Sequence, residues 1–332
     1  MSWTSSDTTA LMALTSTLDN PPPPFGIEET IRAADGVRLR TARWAPVSTP
    51  RGTIAVLGGR GEFIEKYFEV AGELLSRDFA VAMMDWRGQG GSDRPLRNSR
   101  KGHVDDFSYF ERDLAALVRS VLEPNCSRPW FGLCHSMGAA VLLGAAEGGR
   151  CPFERLVLTS PLIAARRVSH RGPAGFLVGA LDTLGLGGAF IPGDNGSDGW
   201  FGQFEGNVLT SDARRFARTA ELVSAAPNLF SSGLTIGWLH AAFRLMRRFD
   251  EPNFPRRITT PILIVAAGAD QVTQTAAAER FASRLRAGRI VVIEGAKHEI
   301  LIERDVFRRQ FWAAFDQFVP GSTTSADTRS AA

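Results

Sequence analysis

Three residues suited to nucleophilic attack on an acyl group stand at positions that could bring them together. In Cys134-His135-Ser136-Met137-Gly138 a Ser has small residues two positions to either side. A sharp strand-to-helix turn needs this when it holds its central residue in strained backbone geometry. A helix starting there aims unpaired N–H groups at the hydroxyl and favours negative charge developing beside it. Standing alone, the segment reads equally well as an ordinary strand-to-helix loop with a Ser cap. A Ser hydroxyl is also a weak nucleophile at neutral pH, so it needs a base, and the base needs an orienting carboxylate. Asp270 closes the apolar run ILIVAAGAD and His298 closes the next one, IVVIEGAKH. They stand 28 positions apart, a spacing that holds one helix and one strand.

Five histidines compete for the role of base. His135 adjoins Ser136 and is expected to point away from it. His103 follows an Arg/Lys-rich loop, and His170 and His240 fall in an irregular region. His298 alone follows a buried strand. Oxyanion donors are expected from the backbone N–H of Met137, next after the nucleophile, and of Arg60 in Gly58-Gly59-Arg60-Gly61-Glu62. That glycine-rich loop is not a phosphate loop, because it lacks Gly-Lys-Ser/Thr and does not satisfy G-x-G-x-x-G.

The elements that would position these residues alternate along the chain. Apolar strand patterns at 36–46, 53–59, 79–88, 128–135, 156–161, 261–270 and 289–298 are separated by helical periodicity at 64–77, 107–122, 139–147, 275–285 and 306–318. Asp35-Gly36 marks a hairpin turn ahead of the first of these strands. Continuous Val/Ile/Leu strands between helices predict an α/β fold, a mostly parallel sheet flanked by helices. Ser136, Asp270 and His298 then share the C-terminal edge of that sheet, where open α/β folds place their sites. Residues 162–256 break the rhythm and read as a mainly helical cap inserted after the sixth strand. The catalytic domain is expected over 25–161 and 257–319, with disordered segments at 1–24, which ends in four prolines, and at 320–332.

Composition narrows the function classes. The chain has 332 residues, 44% of them hydrophobic, and a net charge of +3. It can bury a large core, and its weak field argues against a nucleic-acid binder. Of 38 basic residues only Lys66, Lys101 and Lys297 are lysines, an imbalance that genomic base composition explains. Cys126, Cys134 and Cys151 form neither a zinc pattern nor a disulfide framework, which suits a reducing compartment. No secretory signal or spanning segment is read, so a cytoplasmic protein is expected, touching a membrane at most at its surface.

With these residues in place the chain resembles the lysophospholipase and monoacylglycerol lipase group of α/β-hydrolases, serine hydrolases with a helical cap. GGRGEFIEKY (58–67) resembles the group's HGxGE…Y segment, DWRGQGGSDRP (85–95) its D-x-R-G-x-G-x-S loop, and KGHVDDFSYFERDL (101–114) the lead into its next helix. CHSMGA and GAKHEIL complete the match, which covers roughly 26–318. Two positions depart from the pattern. Gly58 replaces the group's His, removing one brace of the oxyanion loop, and Cys134 replaces the first elbow glycine. The resemblance implies hydrolysis of a carboxylic ester of a lipid, a lysophospholipid or monoacylglycerol, through an acyl-Ser136 intermediate. It implies His298 as base, Asp270 as its orienting acid, and no metal or cofactor. The same triad could instead serve a carboxylesterase, peptidase or acyltransferase. A non-catalytic binding relative would be expected to lack a triad member, and none is missing.

Substrate choice is expected in the cap. Phe176, Leu177, Leu181, Leu184, Phe190, Trp200, Phe201, Phe204, Trp238 and Phe243 could wall an acyl-chain pocket or simply form the cap's own core. Arg166, Arg167, Arg171, Arg247, Arg248, Arg256 and Arg257 could meet a phosphate head group or an anionic bilayer, or form a solvated basic face.

Overall fold

The computed structural model describes residues 13–194, 196 and 201–321. Eight strands form one sheet: β1 (Ile27–Arg32), β2 (Arg38–Trp44), β3 (Thr53–Leu57), β4 (Ala80–Met84), β5 (Trp130–His135), β6 (Arg155–Thr159), β7 (Ile262–Ala267) and β8 (Gly288–Ile293). Their spatial order is β1-β2-β4-β3-β5-β6-β7-β8. β1 pairs antiparallel with β2 and β2 with β4; every other neighbour is parallel. Every residue of β3, β4, β5 and β7 is buried, as strands covered on both faces must be. Side chains alternate between layers. Ile54 and Val56 meet one apolar cluster, with α1 (Phe68–Leu75) and the C-terminal helix Asp305–Phe318. Ala55 and Leu57 meet the other, with α2 (Ser108–Leu117), α3 (Ser136–Glu147) and the helix Thr275–Ala282.

The expected insertion after the sixth strand is present as α4 (Pro173–Leu181), α5 (Ala213–Ala225) and α6 (Ile236–Asp250), ahead of α7 (Thr275–Ala282) and α8 (Asp305–Phe318). Asp212 caps α5 by accepting the Arg215 N–H at 2.9 Å, and Thr235 caps α6 by accepting that of Trp238 at 3.3 Å. Among the described residues the insertion packs mainly onto the core of the domain. Trp238, Leu239, Phe243, Met246 and Phe249 of α6 belong to the same cluster as α2 and α3. Only a small group around α5, including Leu222, Val223, Leu229 and Phe230, stands apart with Phe63.

Residues 13–24 of the N-terminal stretch lie along the domain, held by hydrogen bonds, with Asn20 buried and Leu18 exposed. Thr15 N–H donates to Glu65 at 3.1 Å, and the Asn20 amide, 2% exposed, donates to the Glu65 carbonyl at 2.9 Å. Trp44 Nε1 donates to the Pro23 carbonyl at 3.0 Å. Residues 1–12 and 322–332, expected to be disordered, and Trp200 lie outside the described residues. Among the described residues no helix is long and apolar enough to cross a membrane.

Candidate active site

The turn between β5 and α3 holds Ser136 in the left-handed region, at φ 48°. The helix starts at Ser136 itself, so its first free N–H groups lie beside the hydroxyl. Gly138 makes the turn feasible. A Cβ there would come within 2.5 Å of the Gly58 carbonyl oxygen and 2.7 Å of that of Leu57. Gly59 is constrained similarly, since its Cβ would lie 3.1 Å from Ser136 Cβ. The two loops thus touch through backbone.

The structure brings together the three residues singled out by sequence. His298 Nε2 lies 3.2 Å from Ser136 Oγ, and His298 Nδ1 lies 2.8 Å from Asp270 Oδ2. Asp270 and His298 follow β7 and β8, at the sheet edge where β5 delivers Ser136. They are 2% and 4% exposed. Asp270 Oδ1 accepts the N–H groups of Val272 (2.7 Å) and Thr273 (2.9 Å), and Oδ2 also accepts the Thr273 hydroxyl at 2.8 Å. Burial alone would raise the Asp270 carboxyl, but the charge and hydrogen bond of His298, with the Thr273 donors, outweigh it and hold the group below its ordinary value. A carboxylate so held can fix the imidazole tautomer and stabilise its cation.

His135 does not point away from the nucleophile, contrary to expectation. Its ring centroid is 4.8 Å from that of His298, and its Nδ1 is 3.1 Å from Thr159 Oγ1. His135, the last residue of β5, lines the same cavity as Ser136 and His298. Burial pushes the His135 imidazole down to about 4, so it stays neutral beside His298.

Arg60 and Met137, expected to offer oxyanion donors, both line the cavity that contains Ser136. The loop that starts at Gly58 is braced by several side chains. Trp86 Nε1 donates to the Gly58 carbonyl at 3.0 Å, Gln89 bridges the Gly61 N–H (2.5 Å) and the Gly59 carbonyl (3.1 Å), and Gly59 N–H donates to Glu62. Glu62 in turn accepts Tyr67 Oη at 2.5 Å and Lys66 Nζ at 2.7 Å, and Lys66 Nζ also reaches Glu299 at 2.5 Å. One buried cation therefore faces two carboxylates. Burial raises both acids, yet Glu62, with Lys66 and His135 nearby and two further donors, is held well below its ordinary range. Glu299 is pushed up, and its Oε2 is buried with no hydrogen-bond partner among the described residues. Sequence reasoning gave these residues no role. The signals were the HGxGE…Y resemblance, whose Glu and Tyr are Glu62 and Tyr67, the i, i+4 spacing of Glu62 and Lys66, and the adjacency of Glu299 to His298.

The cavity has a volume of about 290 Å³. Its walls are chiefly apolar, with Leu162, Leu209, Phe230, Trp238, Leu239 and Met246 among them, and Lys66 and Glu299 on one side. Phe201 and Trp238 are the described members of the expected aromatic and aliphatic set that reach it. Phe243 is wholly buried in the core, whereas Phe176, Leu177 and Leu184 are 83%, 57% and 76% exposed. Of the seven arginines suggested for a head group, Arg167 alone lines it. Arg166 donates to the Asp270 carbonyl, Arg171 pairs with Asp250, and Arg248 and Arg257 pair with Glu147. Among the described residues no group of three or more His, Cys, Asp or Glu side chains could hold a metal ion.

A nucleophile turn after the fifth strand, an acid after the seventh and a histidine after the eighth, on this strand order, define an α/β-hydrolase. The family model described as "Serine aminopeptidase, S33" matches residues 48–305, and the chain belongs to that family. It is 28% identical over 308 residues to lysophospholipase L2 of Escherichia coli (strain K12), covering 85% of this chain and 84% of that one. It is 27% identical over 303 residues to the monoglyceride lipase of Homo sapiens, covering 90% and 91%. Among solved structures, a soluble variant of the monoglyceride lipase of Saccharomyces cerevisiae with a substrate analog superposes with a TM-score of 0.70 at 19% identity, covering 90% and 97%. That last likeness is one of fold.

Proposed function

We propose that the chain is a serine hydrolase that cleaves carboxylic esters of lipids, lysophospholipids or monoacylglycerols, through an acyl-Ser136 intermediate. One observation carries this reading: the Ser136–His298–Asp270 hydrogen-bond relay opens into a cavity walled mainly by apolar side chains. The lipid-hydrolase names of the relatives support it.

In this reading Ser136 Oγ attacks the ester carbonyl carbon as His298 Nε2 takes its proton. The carbonyl oxygen becomes an oxyanion held by the N–H groups of Arg60 and Met137, a contribution of about 3–4 kcal/mol per donor where it has been measured in other hydrolases. His298 passes the proton to the departing alcohol, leaving the acyl group on Ser136. Water then repeats the sequence, giving its proton to His298, and releases the fatty acid while Ser136 regains its hydrogen.

Residues 162–256 act as the cap that screens substrates over the domain formed by 25–161 and 257–319. The exposed Phe176, Leu177 and Leu184 give that cap a face for transient contact with a lipid surface. Turnover of p-nitrophenyl esters of rising chain length, a lysophospholipid, a monoacylglycerol and an aminoacyl amide tests the reading. Long acyl esters should be preferred. Preference for acetate or for the amide would overturn it in favour of a carboxylesterase or a peptidase.

A further inference from the structure

A larger cavity, about 490 Å³, lies elsewhere in the molecule and shares no lining residue with the one at Ser136. It is formed between the segment after β6, the C-terminal end of α6 and helix α7. Its volume falls in the ordinary range of small-molecule sites. Ile163, Ala164, Phe249 and Ala277 supply apolar wall. The polar wall is unbalanced in charge. Asp250 is its one carboxylate, and both oxygens are committed: Oδ2 lies 2.7 Å from His170 Nε2 and from Arg171 Nε, and Oδ1 accepts Arg171 Nη2. Arg280 and Arg284 also line the cavity, and among the described residues neither pairs with a carboxylate.

Arg284 is already oriented. Its Nε donates to the Arg280 carbonyl at 3.1 Å and its Nη2 to the Phe249 carbonyl at 3.3 Å, so little side-chain freedom remains to be lost on binding. Counting Arg171, Arg280 and Arg284 against Asp250, the wall carries two uncompensated positive charges. Guanidinium forks match phosphate oxygens in shape as well as charge, and a phosphate ester at neutral pH brings up to two negative charges. The apolar side accommodates an organic body beside that anion.

We propose that this cavity is a second ligand site, separate from the catalytic one, that takes a small phosphate ester on Arg280 and Arg284. The segment between the cavities faces both ways. Ala165, Arg167 and Val168 line the Ser136 cavity, while Ala164, Ser169 and Arg171 line this one. The occupant therefore sits behind the acyl cavity wall, outside it.

Calorimetric titration of the full chain at low salt tests the assignment, with sn-glycerol 3-phosphate, inorganic phosphate and glycerol as probes. sn-Glycerol 3-phosphate should bind with a Kd below about 1 mM, and glycerol should not bind. Arg280→Gln/Arg284→Gln should weaken binding at least tenfold at an unchanged melting temperature. Arg247→Gln/Arg248→Gln, which removes the same charge from elsewhere on the surface, should leave it intact. Inorganic phosphate binding as tightly as the ester would assign the site to the free anion. Tighter binding of the ester would assign it to an organic phosphate such as a lipid head group. Absence of binding by both anions, or equal loss in the two double variants, would overturn the proposal.

Discussion

Gly138, on the first turn of the helix that carries the nucleophile, packs so closely on Gly58 that a single methyl would come within 2.5 Å of the Gly58 carbonyl oxygen. The nucleophile turn and the oxyanion loop therefore meet through backbone, and the side chains of Trp86, Gln89 and Glu62 brace the loop around that contact. Gly138→Ala should destabilise the fold by about 1–3 kcal/mol, as overpacking does. It should also lower kcat more than it raises KM, because the loop must move to admit the methyl. Denaturant melts and steady-state kinetics on a short ester check both. Wild-type stability with wild-type kcat would show that the contact is dispensable.

Glu62 should act as a positioning residue for the same loop. It accepts the Gly59 N–H while tied to Tyr67 and Lys66. Glu62→Gln keeps the shape but loses the charge that Lys66 requires, and it turns an amide donor toward groups that need an acceptor. We expect kcat to fall about tenfold to a hundredfold, less than the loss of an oxyanion donor itself, with KM little changed. A rise in KM alone would assign Glu62 to substrate binding instead.

Acid should loosen the packing of the insertion against the domain. Glu69 of α1 receives Arg215 and Arg218 from α5 and Arg308 from α8. Burial raises its carboxyl, but the hydrogen bonds and charges of these arginines win and lower it to about 2, from an ordinary 4.5. The folded value lies below the unfolded one, so the contribution is complete above about pH 4.5 and is lost as the pH falls toward about 2. Melting temperature against pH should drop less steeply in that window for Glu69→Gln than for the wild type. Parallel curves would contradict the assignment.

The sequence shows clearly what apolar periodicity encodes. β3, β4 and β7 are continuous apolar runs because both faces are buried, and the sheet edge that gathers Ser136, Asp270 and His298 follows from their order. Buried charge was not legible. Arg40, 1% exposed, is locked by Glu65 and Asp85 at 2.7 Å each, and Lys66 lies between two acids, whereas a charged residue in a sequence reads by default as solvated surface. The cap was hardest to read. Phe243 and Phe201 are alike in type, yet one fills the core beneath α6 and the other lines the Ser136 cavity, a difference set by packing angles that no local pattern encodes.

The central claim, that Ser136 is the acylated nucleophile, is tested most directly by labelling the intact protein with a fluorophosphonate probe and locating the adduct by peptide mass spectrometry. One adduct per chain is expected, on Ser136. Ser136→Ala should abolish labelling and lower kcat by about 10⁴ to 10⁶ while leaving the melting temperature near that of the wild type. Labelling that persists in Ser136→Ala, or an adduct mapped to another residue, would contradict it.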